Sequence, residues 1–318
     1  MKRAGLIVNP QSGKSSGKGL RLMEMVRSRP NISARLLERF EQLPNHLNEL
    51  ARDGVTDLFI SSGDGTIHAI QTELAERKPF RNFPRLSLLP HGTTNMTAAD
   101  LGFRHHSIAD QAEFMTNLAA SHLRERPTLR VVNPNDGRPR HGMFLGAGAT
   151  TSAARFCQQA LNEKGVKGNL ATFATLAVAI GQVAFGSSHP YEVARFDQPC
   201  PMRISIGTTD ICNGAQLLML STTLEKLTLG TRPFWGGKSG SLRTTILPFP
   251  VPSLARWLLP IMYGRETRKV PEGSLSFASQ GFDITSPGTY IIDGEFFDGP
   301  EGAPLKVETG PVFTYLCG

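Results

Sequence analysis

A short run of glycine and polar residues, Gly63-Asp64-Gly65-Thr66, carries the clearest chemistry in the sequence. It directly follows the apolar run 57–60, which predicts a strand, and it directly precedes a helix-like run that begins at Ile67. Glycines allow backbone N–H groups to approach a phosphate, and the following helix presents the positive end of its dipole. The carboxylate of Asp64 can hold the metal ion that accompanies a polyphosphate. The run therefore predicts a loop for phosphoryl transfer from a nucleotide.

Two further loops of the same kind flank this run. Residues 4–8 predict a strand that ends at Asn9-Pro10-Gln11-Ser12-Gly13-Lys14, and residues 86–89 predict one that ends at Pro90-His91-Gly92-Thr93-Thr94-Asn95. The helices predicted between these strands lie near residues 20–27, 43–51 and 67–74. Alternating strands and helices predict a parallel sheet, in which the loops after the strands gather at one edge. The sequence therefore predicts that the three loops converge.

The three loops together resemble the motifs of a known family. Asn-Pro-x-Ser-Gly from Asn9, Gly-Asp-Gly-Thr from Gly63 and Pro-x-Gly-Thr-Thr-Asn from Pro90 are similar, in order and spacing, to the diacylglycerol kinase catalytic domain. Soluble bacterial lipid kinases share that domain with ceramide kinases and sphingosine kinases. The segment Ile292-Asp293-Gly294-Glu295 is similar to the family's Asp-Gly-Glu segment, and residues 304–316 resemble its closing strand pair. The resemblance covers nearly the whole chain.

The resemblance implies a role for each matching residue and an ATP-dependent transfer of phosphate to a diacylglycerol-like lipid hydroxyl. Asp64 would be a catalytic residue and a metal ligand that acts on the phosphates through magnesium, so ATP and Mg²⁺ are the implied cofactors. Glu295 would be the general base that accepts the proton of the hydroxyl, although a β-turn with two solvated acids is the alternative for its segment. The residues implied to bind ATP are Asn9, Pro10, Gln11, Ser12, Gly13, Ser62, Gly63, Gly65, Thr66, Ile67, Gly92, Thr93, Thr94 and Asn95.

Three positions depart from the family pattern and keep two alternative functions open. Ser62 stands where a first glycine is usual, and Met96 stands where bacterial lipid kinases carry an aspartate. Lys238 lies in a segment where the family places acids for a structural magnesium site, and a lysine cannot be a magnesium ligand. The first alternative is therefore a nucleotide- or lipid-binding protein that has lost turnover. The second is an NAD kinase-like enzyme, which also carries Gly-Asp-Gly-Thr, although the Asn-Glu pair that grips the NAD ribose is absent after Pro90.

Two histidines and a basic cluster adjoin the predicted nucleotide loops. His68 and His91 each lie beside one loop, where each could donate to a phosphate or support the loop as a structural residue. Lys14, Lys18 and Arg21 follow the first loop, where they could attract ATP or form a solvated basic face. The sequence leaves both alternatives open in each case.

Length and composition predict two domains in this chain of 318 residues. The composition changes near Arg124-Glu125-Arg126-Pro127, so we predict a nucleotide-binding α/β domain with a parallel sheet over residues 1–126, joined by the C-terminal segment 304–318. Residues 127–303 predict a β-rich, sandwich-like domain for the lipid substrate, because short alternating runs lie between Gly and Pro turns. Candidate helices in this part lie at 151–162 and 169–185, and candidate strands include 202–206, 216–220 and 290–292.

Charge and apolar patterning predict a partner at a lipid surface. The formal net charge is +7, and the region 249–269 combines aromatic and aliphatic side chains, including Trp257, with four basic residues. This combination suits a membrane interface, and core packing of Trp257 is the alternative. Nucleic acid is disfavoured as a partner because the basic residues are dispersed among acids and no nucleic-acid motif is present. A homodimer is left open.

The N-terminal residues and the cysteines predict a cytoplasmic protein, with peripheral association at the inner membrane face left open. The apolar run after Met1-Lys2-Arg3 ends at Asn9-Pro10, which is too short for a signal sequence or a membrane span. The four cysteines are scattered without metal-ligand spacing and are too few for a disulfide scaffold. We therefore expect packed thiols.

Overall fold

The computed structural model describes residues 3–12, 17–92, 95–118, 122–155, 199–285 and 288–317. The chain groups into two compact units, one made of Met1–Thr128 with Pro311–Gly318 and the other of Leu129–Gly310. Each unit is described by itself below. The candidate helix at 169–185 and the second half of the candidate helix at 151–162 lie outside the described residues, whereas residues 149–155 are helical.

The first unit is built on a parallel sheet. Its strands are β1 (Ala4–Val8), β2 (Ile32–Leu36), β3 (Asp57–Ser62), β4 (Arg85–Pro90) and the last residues of the chain's final strand, Leu305–Cys317. The order across the sheet is final strand, β4, β3, β1, β2, and every neighbouring pair is parallel. All residues of β1 and β3 are buried, as expected for strands that are covered on both faces.

Helices cover both faces of this sheet. They are α1 (Lys18–Val26), α2 (Leu43–Arg52), α3 (Asp64–Arg77), α4 (Met96–Leu101) and α5 (Ile108–Thr116), with a 3-10 helix at Phe40–Gln42. Successive strand residues point to opposite faces, so each strand contributes to two cores. Leu58 and Ile60 of β3 pack with residues of α2 and α3, whereas Phe59 packs with residues of α1 and α5.

The second unit consists mainly of antiparallel strands. They are the last residues of β5 (His122–Val131), whose earlier residues belong to the first unit, and β6 (Arg140–Gly142), β7 (Phe144–Gly148), β8 (Cys200–Ile206), β9 (Thr209–Thr222), β10 (Leu242–Pro248), β11 (Leu275–Ser279), β12 (Gly281–Thr285), β13 (Thr289–Ile292), β14 (Glu295–Asp298) and the start of the final strand, β15. Thr222 at the end of β9 pairs with both Phe144 of β7 and Arg243 of β10, and the start of β9 pairs with β8. A separate core that includes Leu145, Met219 and Ile246 fills this unit.

The described helices of the second unit are few and short. They are helix α6 (Leu254–Tyr263), the helical residues 149–155 and a 3-10 helix at Thr228–Gly230. The predicted fold class, an α/β part with a parallel sheet followed by a β-rich part, is confirmed. The closing strand pair expected within residues 304–316 is one continuous strand, Leu305–Cys317. Within the described ranges, no helix combines the length and apolar composition needed to cross a bilayer.

Candidate functional site

The loops after β1, β3 and β4 meet at the carboxyl edge of the parallel sheet. The side-chain Nδ2 of Asn9 donates to the Oγ1 of Thr66 over 2.9 Å, which joins the first loop to the start of α3. A Cβ added to Gly92 would lie 2.3 Å from the Cα of Gly63, and one added to Gly63 would lie 3.2 Å from the Oγ of Ser12. The three loops therefore converge, as the alternation of strands and helices predicts.

The contact between Gly63 and Gly92 requires glycine. Atoms that approach to 2.3 Å overlap, so a side chain at Gly92 would displace the backbone of Gly63. The side chain of Asn95 fixes the same loop, because its Oδ1 accepts from the N–H of Gly92 over 2.8 Å and its Nδ2 donates to the Gly92 carbonyl over 2.7 Å. Asn95 itself has a φ of 49°, in the left-handed region that asparagine tolerates. Gly13, Lys14, Thr93 and Thr94 lie outside the described residues.

Asp64 is a buried residue in the first turn of α3, whereas the sequence predicts a loop at this position. Its carboxylate accepts hydrogen bonds from the backbone N–H groups of Met96 over 3.1 Å and Thr97 over 3.4 Å. These are the first two residues of α4, whose N-terminal N–H groups have no partner within the helix. Burial raises the pKa of Asp64, and the bonds from Met96 and Thr97 oppose that rise. Asp64 therefore caps α4 and holds it against α3.

The described residues form no metal centre built by the protein alone, whereas a magnesium ion bound with ATP takes most of its ligands from phosphate oxygens and water. In the part of the chain that the structure describes, no group of three or more His, Cys, Asp and Glu side chains could hold a metal. Both carboxylate oxygens of Asp64 already accept from backbone N–H groups. The groups at this edge are amides, hydroxyls and backbone N–H donors, which suit phosphate oxygens better than a cation. The role of Asp64 as a metal ligand stays a prediction.

Three residues implied to bind ATP, namely Ser62, Thr66 and Ile67, are buried. Ile67 is 2 % exposed and belongs to the core beneath the sheet, and its N–H donates to the Gly63 carbonyl over 3.3 Å. Ile67 therefore offers no unused polar group to a nucleotide. Ser62 is fully buried, and its hydroxyl has no hydrogen-bond partner in the structure as described. An unpaired buried hydroxyl is unfavourable, so Ser62 leaves a polar group unused beside Gly63.

His91 is a buried residue next to Gly92, and its ring contacts strand β3. It is 5 % exposed, and its Nδ1 lies 2.8 Å from the Oγ of Ser61. Burial and the nearby charge of Lys18 lower the pKa of His91 to about 4, although a hydrogen bond with Gln111 acts in the other direction. The ring is therefore neutral at neutral pH. Of the two roles that the sequence leaves open, support of the loop fits this geometry.

In the second unit, the segment that resembles Asp-Gly-Glu forms the tight turn between β13 and β14. Asp293 and Gly294 have φ values of 48° and 90°, as a two-residue hairpin turn requires. The carboxylate of Asp293 accepts from the N–H groups of Met143 and Phe144, each over 2.9 Å. Asp293 is only 7 % exposed, so the alternative of a turn with two solvated acids is wrong for this residue.

Glu295 is the acid of this segment that faces solvent. It begins β14, is exposed, and pairs with Ile292 across the hairpin. Asp293 fixes the turn against Met143 and Phe144, and thereby fixes the backbone from which Glu295 projects. Glu295 thus has an unburied carboxylate on a rigid support. Its role as the general base stays a prediction.

The segment around Lys238 packs against strand β11. A Cβ at Gly236 would lie 2.2 Å from the backbone of Ser276, and one at Gly240 would lie 2.2 Å from the backbone of Ser279. The hydroxyl of Ser239 donates to the Ala278 carbonyl over 2.8 Å. Small residues and backbone contacts hold this segment, and the side chain of Lys238 is exposed to solvent. This segment therefore packs against β11 at the position where the resemblance implies acids for a structural magnesium site.

Comparisons with known proteins agree with the motifs. The family model of the diacylglycerol kinase catalytic domain matches residues 3–129. The diacylglycerol kinase of Bacillus subtilis (strain 168) is 33 % identical over 132 residues, which cover 37 % of this chain and 39 % of that relative. The matched part of the chain thus spans well under half of the relative's length.

Solved structures share the fold over the whole chain. A crystal structure of a diacylglycerol kinase from Bacillus anthracis str. Sterne aligns with a TM-score of 0.62 at 16 % identity, covering 100 % of this chain and 97 % of that chain. A further crystal structure from the same strain aligns with a TM-score of 0.68 at the same identity and coverage. Residues 3–129 therefore resemble the diacylglycerol kinase catalytic domain, and the fold shared with the solved structures extends over the whole chain.

Proposed function

We propose that this protein is an ATP-dependent lipid kinase that transfers the γ-phosphate to the hydroxyl of a diacylglycerol-like lipid. The observation that supports this most is the backbone contact between Gly63 and Gly92, which only glycine permits. It leaves backbone N–H groups, the amide of Asn9 and the hydroxyl of Thr66 at one edge of the sheet. Such an edge suits a polyphosphate. The reaction class comes from the family model that matches residues 3–129 and from the name of the Bacillus subtilis relative.

In the proposed reaction the phosphate-binding groups and the general base have separate roles. The N–H groups and hydroxyls at the carboxyl edge of the parallel sheet orient the phosphates of ATP, and the N-terminus of α3 favours their charge. Glu295 accepts the proton of the lipid hydroxyl while the hydroxyl oxygen bonds to the γ-phosphorus. The bond from the γ-phosphorus to the bridging oxygen breaks, and ADP leaves with that electron pair. Asp64 acts as a positioning residue through its bonds to α4.

Substitution of Gly92 tests the nucleotide site. Gly92→Ala places a Cβ 2.3 Å from the Cα of Gly63, so the two loops must separate. We expect at least a tenfold loss of ATP affinity by isothermal titration, corresponding to about 1.4 kcal/mol. Gly288→Ala is the matched control because nothing lies within 4 Å of its added Cβ. Unchanged ATP affinity of a folded Gly92→Ala variant would remove this edge as the nucleotide site.

Turnover is tested by incubating the protein with γ-labelled ATP and a total lipid extract. We expect a labelled phospholipid whose mass exceeds that of a hydroxyl-bearing lipid by one phosphate group. ATP binding without any labelled product would instead favour a binding protein that has lost turnover. Labelling of added NAD rather than lipid would favour the NAD kinase-like alternative. Purified diacylglycerol and other hydroxyl-bearing lipids, supplied one at a time, then identify the acceptor.

A further inference from the structure

Helix α6 presents an exposed apolar stripe to solvent. Leu259 is 71 % exposed and Tyr263 is 51 % exposed, and they lie four residues apart on the same side of the helix. Ala255, a further four residues towards the N-terminus, is exposed as well. Single exposed apolar residues are common on protein surfaces, but a row of them along one helix face indicates a partner.

The opposite side of α6 is fixed to the second unit. Ile261 is 5 % exposed and packs with Leu217 and Leu247, and Trp257 lies partly buried against the same cluster. The guanidinium of Arg268 donates to the Ile261 carbonyl and, over 2.8 Å, to the carbonyl of Arg232. Arg268 therefore serves as a structural anchor for the end of the helix. Because the buried side is held in place, Leu259 and Tyr263 cannot turn inward.

A basic rim surrounds this stripe. The guanidinium of Arg256 lies 4.6 Å from the ring centre of Trp257 and is exposed beside the stripe. The backbone N–H of Arg232 donates to the Met262 carbonyl over 2.7 Å, which places an exposed arginine at the end of the helix. The exposed charged residues of the rim are Arg232, Arg256, Arg265 and Lys269, with Glu266 and Glu272 of opposite sign. The rim carries a positive excess.

We propose that this face of α6 docks onto an anionic lipid bilayer. Leu259 and Tyr263 would insert at the headgroup level, where a tyrosine ring is favoured, and the basic rim would contact anionic headgroups. A second copy of the chain fits the face less well, because a two-fold dimer would place one basic rim against another. The inference rests on the proposed function for its biological sense, since a bilayer is where the lipid acceptor lies.

The two tryptophans of the chain supply a direct readout, because Trp235 and Trp257 both belong to the cluster beneath α6. Energy transfer from them to a dansyl lipid, measured without ATP on phosphatidylcholine vesicles with and without phosphatidylglycerol, reports docking of this face. We expect Leu259→Ser to lower vesicle partitioning roughly tenfold, from the lost burial of a leucine side chain. The matched control is Leu123→Ser, which removes a leucine that is 53 % exposed in the first unit and should change nothing.

Charge is tested separately from apolar contact. Arg256→Gln with Lys269→Gln should weaken binding about fivefold per charge on vesicles with phosphatidylglycerol, because each basic residue near such a surface contributes about 1 kcal/mol. The same pair should have little effect on phosphatidylcholine alone. Equal partitioning of the wild type, Leu259→Ser and Leu123→Ser would overturn the proposal. So would a wild-type dimer in vesicle-free solution that Leu259→Ser dissociates.

The docking proposal and the kinase proposal can fail separately. Gly92→Ala should still bind vesicles, and Leu259→Ser should still bind ATP with wild-type affinity. Vesicle binding through α6 in a protein that labels no lipid would overturn only the kinase. Lipid phosphorylation on vesicles at the same rate in Leu259→Ser and wild type would overturn only the docking face.

Discussion

Replacement of Asp64 tests whether this residue acts on the structure or through its charge. Its carboxylate accepts from the N–H groups of Met96 and Thr97 at the start of α4. Asp64→Ala removes both acceptors, whereas Asp64→Asn retains one oxygen. Thr97 is fully buried, so water cannot replace the lost acceptor there, and Met96 is only partly buried. An unsatisfied buried N–H costs about 1–3 kcal/mol.

These contacts give a ranking of the free energies of unfolding. We expect Asp64→Ala to lose about 2–4 kcal/mol, since one N–H is left without an acceptor and the other gains only water. Asp64→Asn should lose about 1 kcal/mol, because one acceptor remains and the desolvation of a buried charge is relieved. Asp110→Asn is the matched control. It changes an exposed aspartate in the first turn of α5 and should lose only about 0.3 kcal/mol.

The pH dependence follows from the direction of the shift in the pKa of Asp64. Burial raises this pKa above its ordinary value of 3.8, so the folded protein binds the proton more tightly than the unfolded chain. The stability that this proton contributes is fully present below pH 3.8 and is lost as the pH rises through the folded pKa. The stability difference between wild type and Asp64→Asn should therefore shrink as the pH rises from the acidic range towards neutrality.

Urea unfolding combined with hydrogen exchange measures both effects. Amide exchange in the peptide 95–101 should accelerate in Asp64→Ala, because the first turn of α4 loses its cap. Peptides of α5 should exchange as in the wild type. Unchanged exchange at 95–101 would show that Asp64 does not cap α4. A stability difference that grows with pH would show that the pKa of Asp64 is lowered in the folded protein and not raised.

Three further predictions use the same measurements. His91→Gln should flatten the dependence of the free energy of unfolding on pH. The wild type loses about 3 kcal/mol as the pH falls from 6.5 to about 4, because its unfolded state binds the proton of His91 more tightly than the folded state does. A wild-type slope in the variant would contradict this. Asp293→Ala should lose about 2–4 kcal/mol in urea unfolding and Asp293→Asn less, since two buried N–H groups lose their acceptor; equal stability of Ala and wild type would exclude the anchor. Glu295→Gln should keep ATP affinity and stability but reduce kcat roughly a hundredfold in the lipid assay, and a retained kcat would exclude it as the base.

Buried strands were the part of the fold that the sequence predicted best. Strands β1 and β3 are buried along their whole length. Strand β1 reads as an unbroken apolar run, and β3 contains the apolar residues 58–60 before two serines and the polar turn. The loops that follow such strands must lie at one edge of the sheet, and the contact between Gly63 and Gly92 bears this out. The apolar pattern and the parallel topology were sufficient to predict that these loops converge, because the prediction does not depend on any particular long-range side-chain contact.

Strand β2 was not among the predicted strands. It is an edge strand of five residues, and only Ser33 among them is buried. Arg35 in its middle donates to Glu49 over 2.7 Å and to Asp53 over 3.0 Å, both of which belong to α2 or its end. Ile32, Ala34 and Leu36 pack against the core and alternate with two polar residues, so the sequence carries the alternation that indicates a strand, although over only five residues.

The burial of Asp64 could not be predicted for a different reason. Its partners are backbone N–H groups at Met96 and Thr97, and every residue except proline carries such a group. Asp293 repeats the pattern with the N–H groups of Met143 and Phe144, about 150 residues away along the chain. A bond between a side chain and a distant backbone leaves no trace in the residue types of its partner.

The same fact explains why a methionine at position 96, where the resemblance implies an aspartate, does not disturb the cap. Met96 contributes its backbone N–H to Asp64, over 3.1 Å, and that group is present whatever the side chain. An aspartate at this position would add a second carboxylate near a buried one, and the like charge would raise the pKa of Asp64 further. With methionine there, the groups that lower the pKa of Asp64 are the hydrogen-bond donors of Met96 and Thr97. The substitution therefore removes a charge from the site and leaves intact the contact that holds α4 to α3.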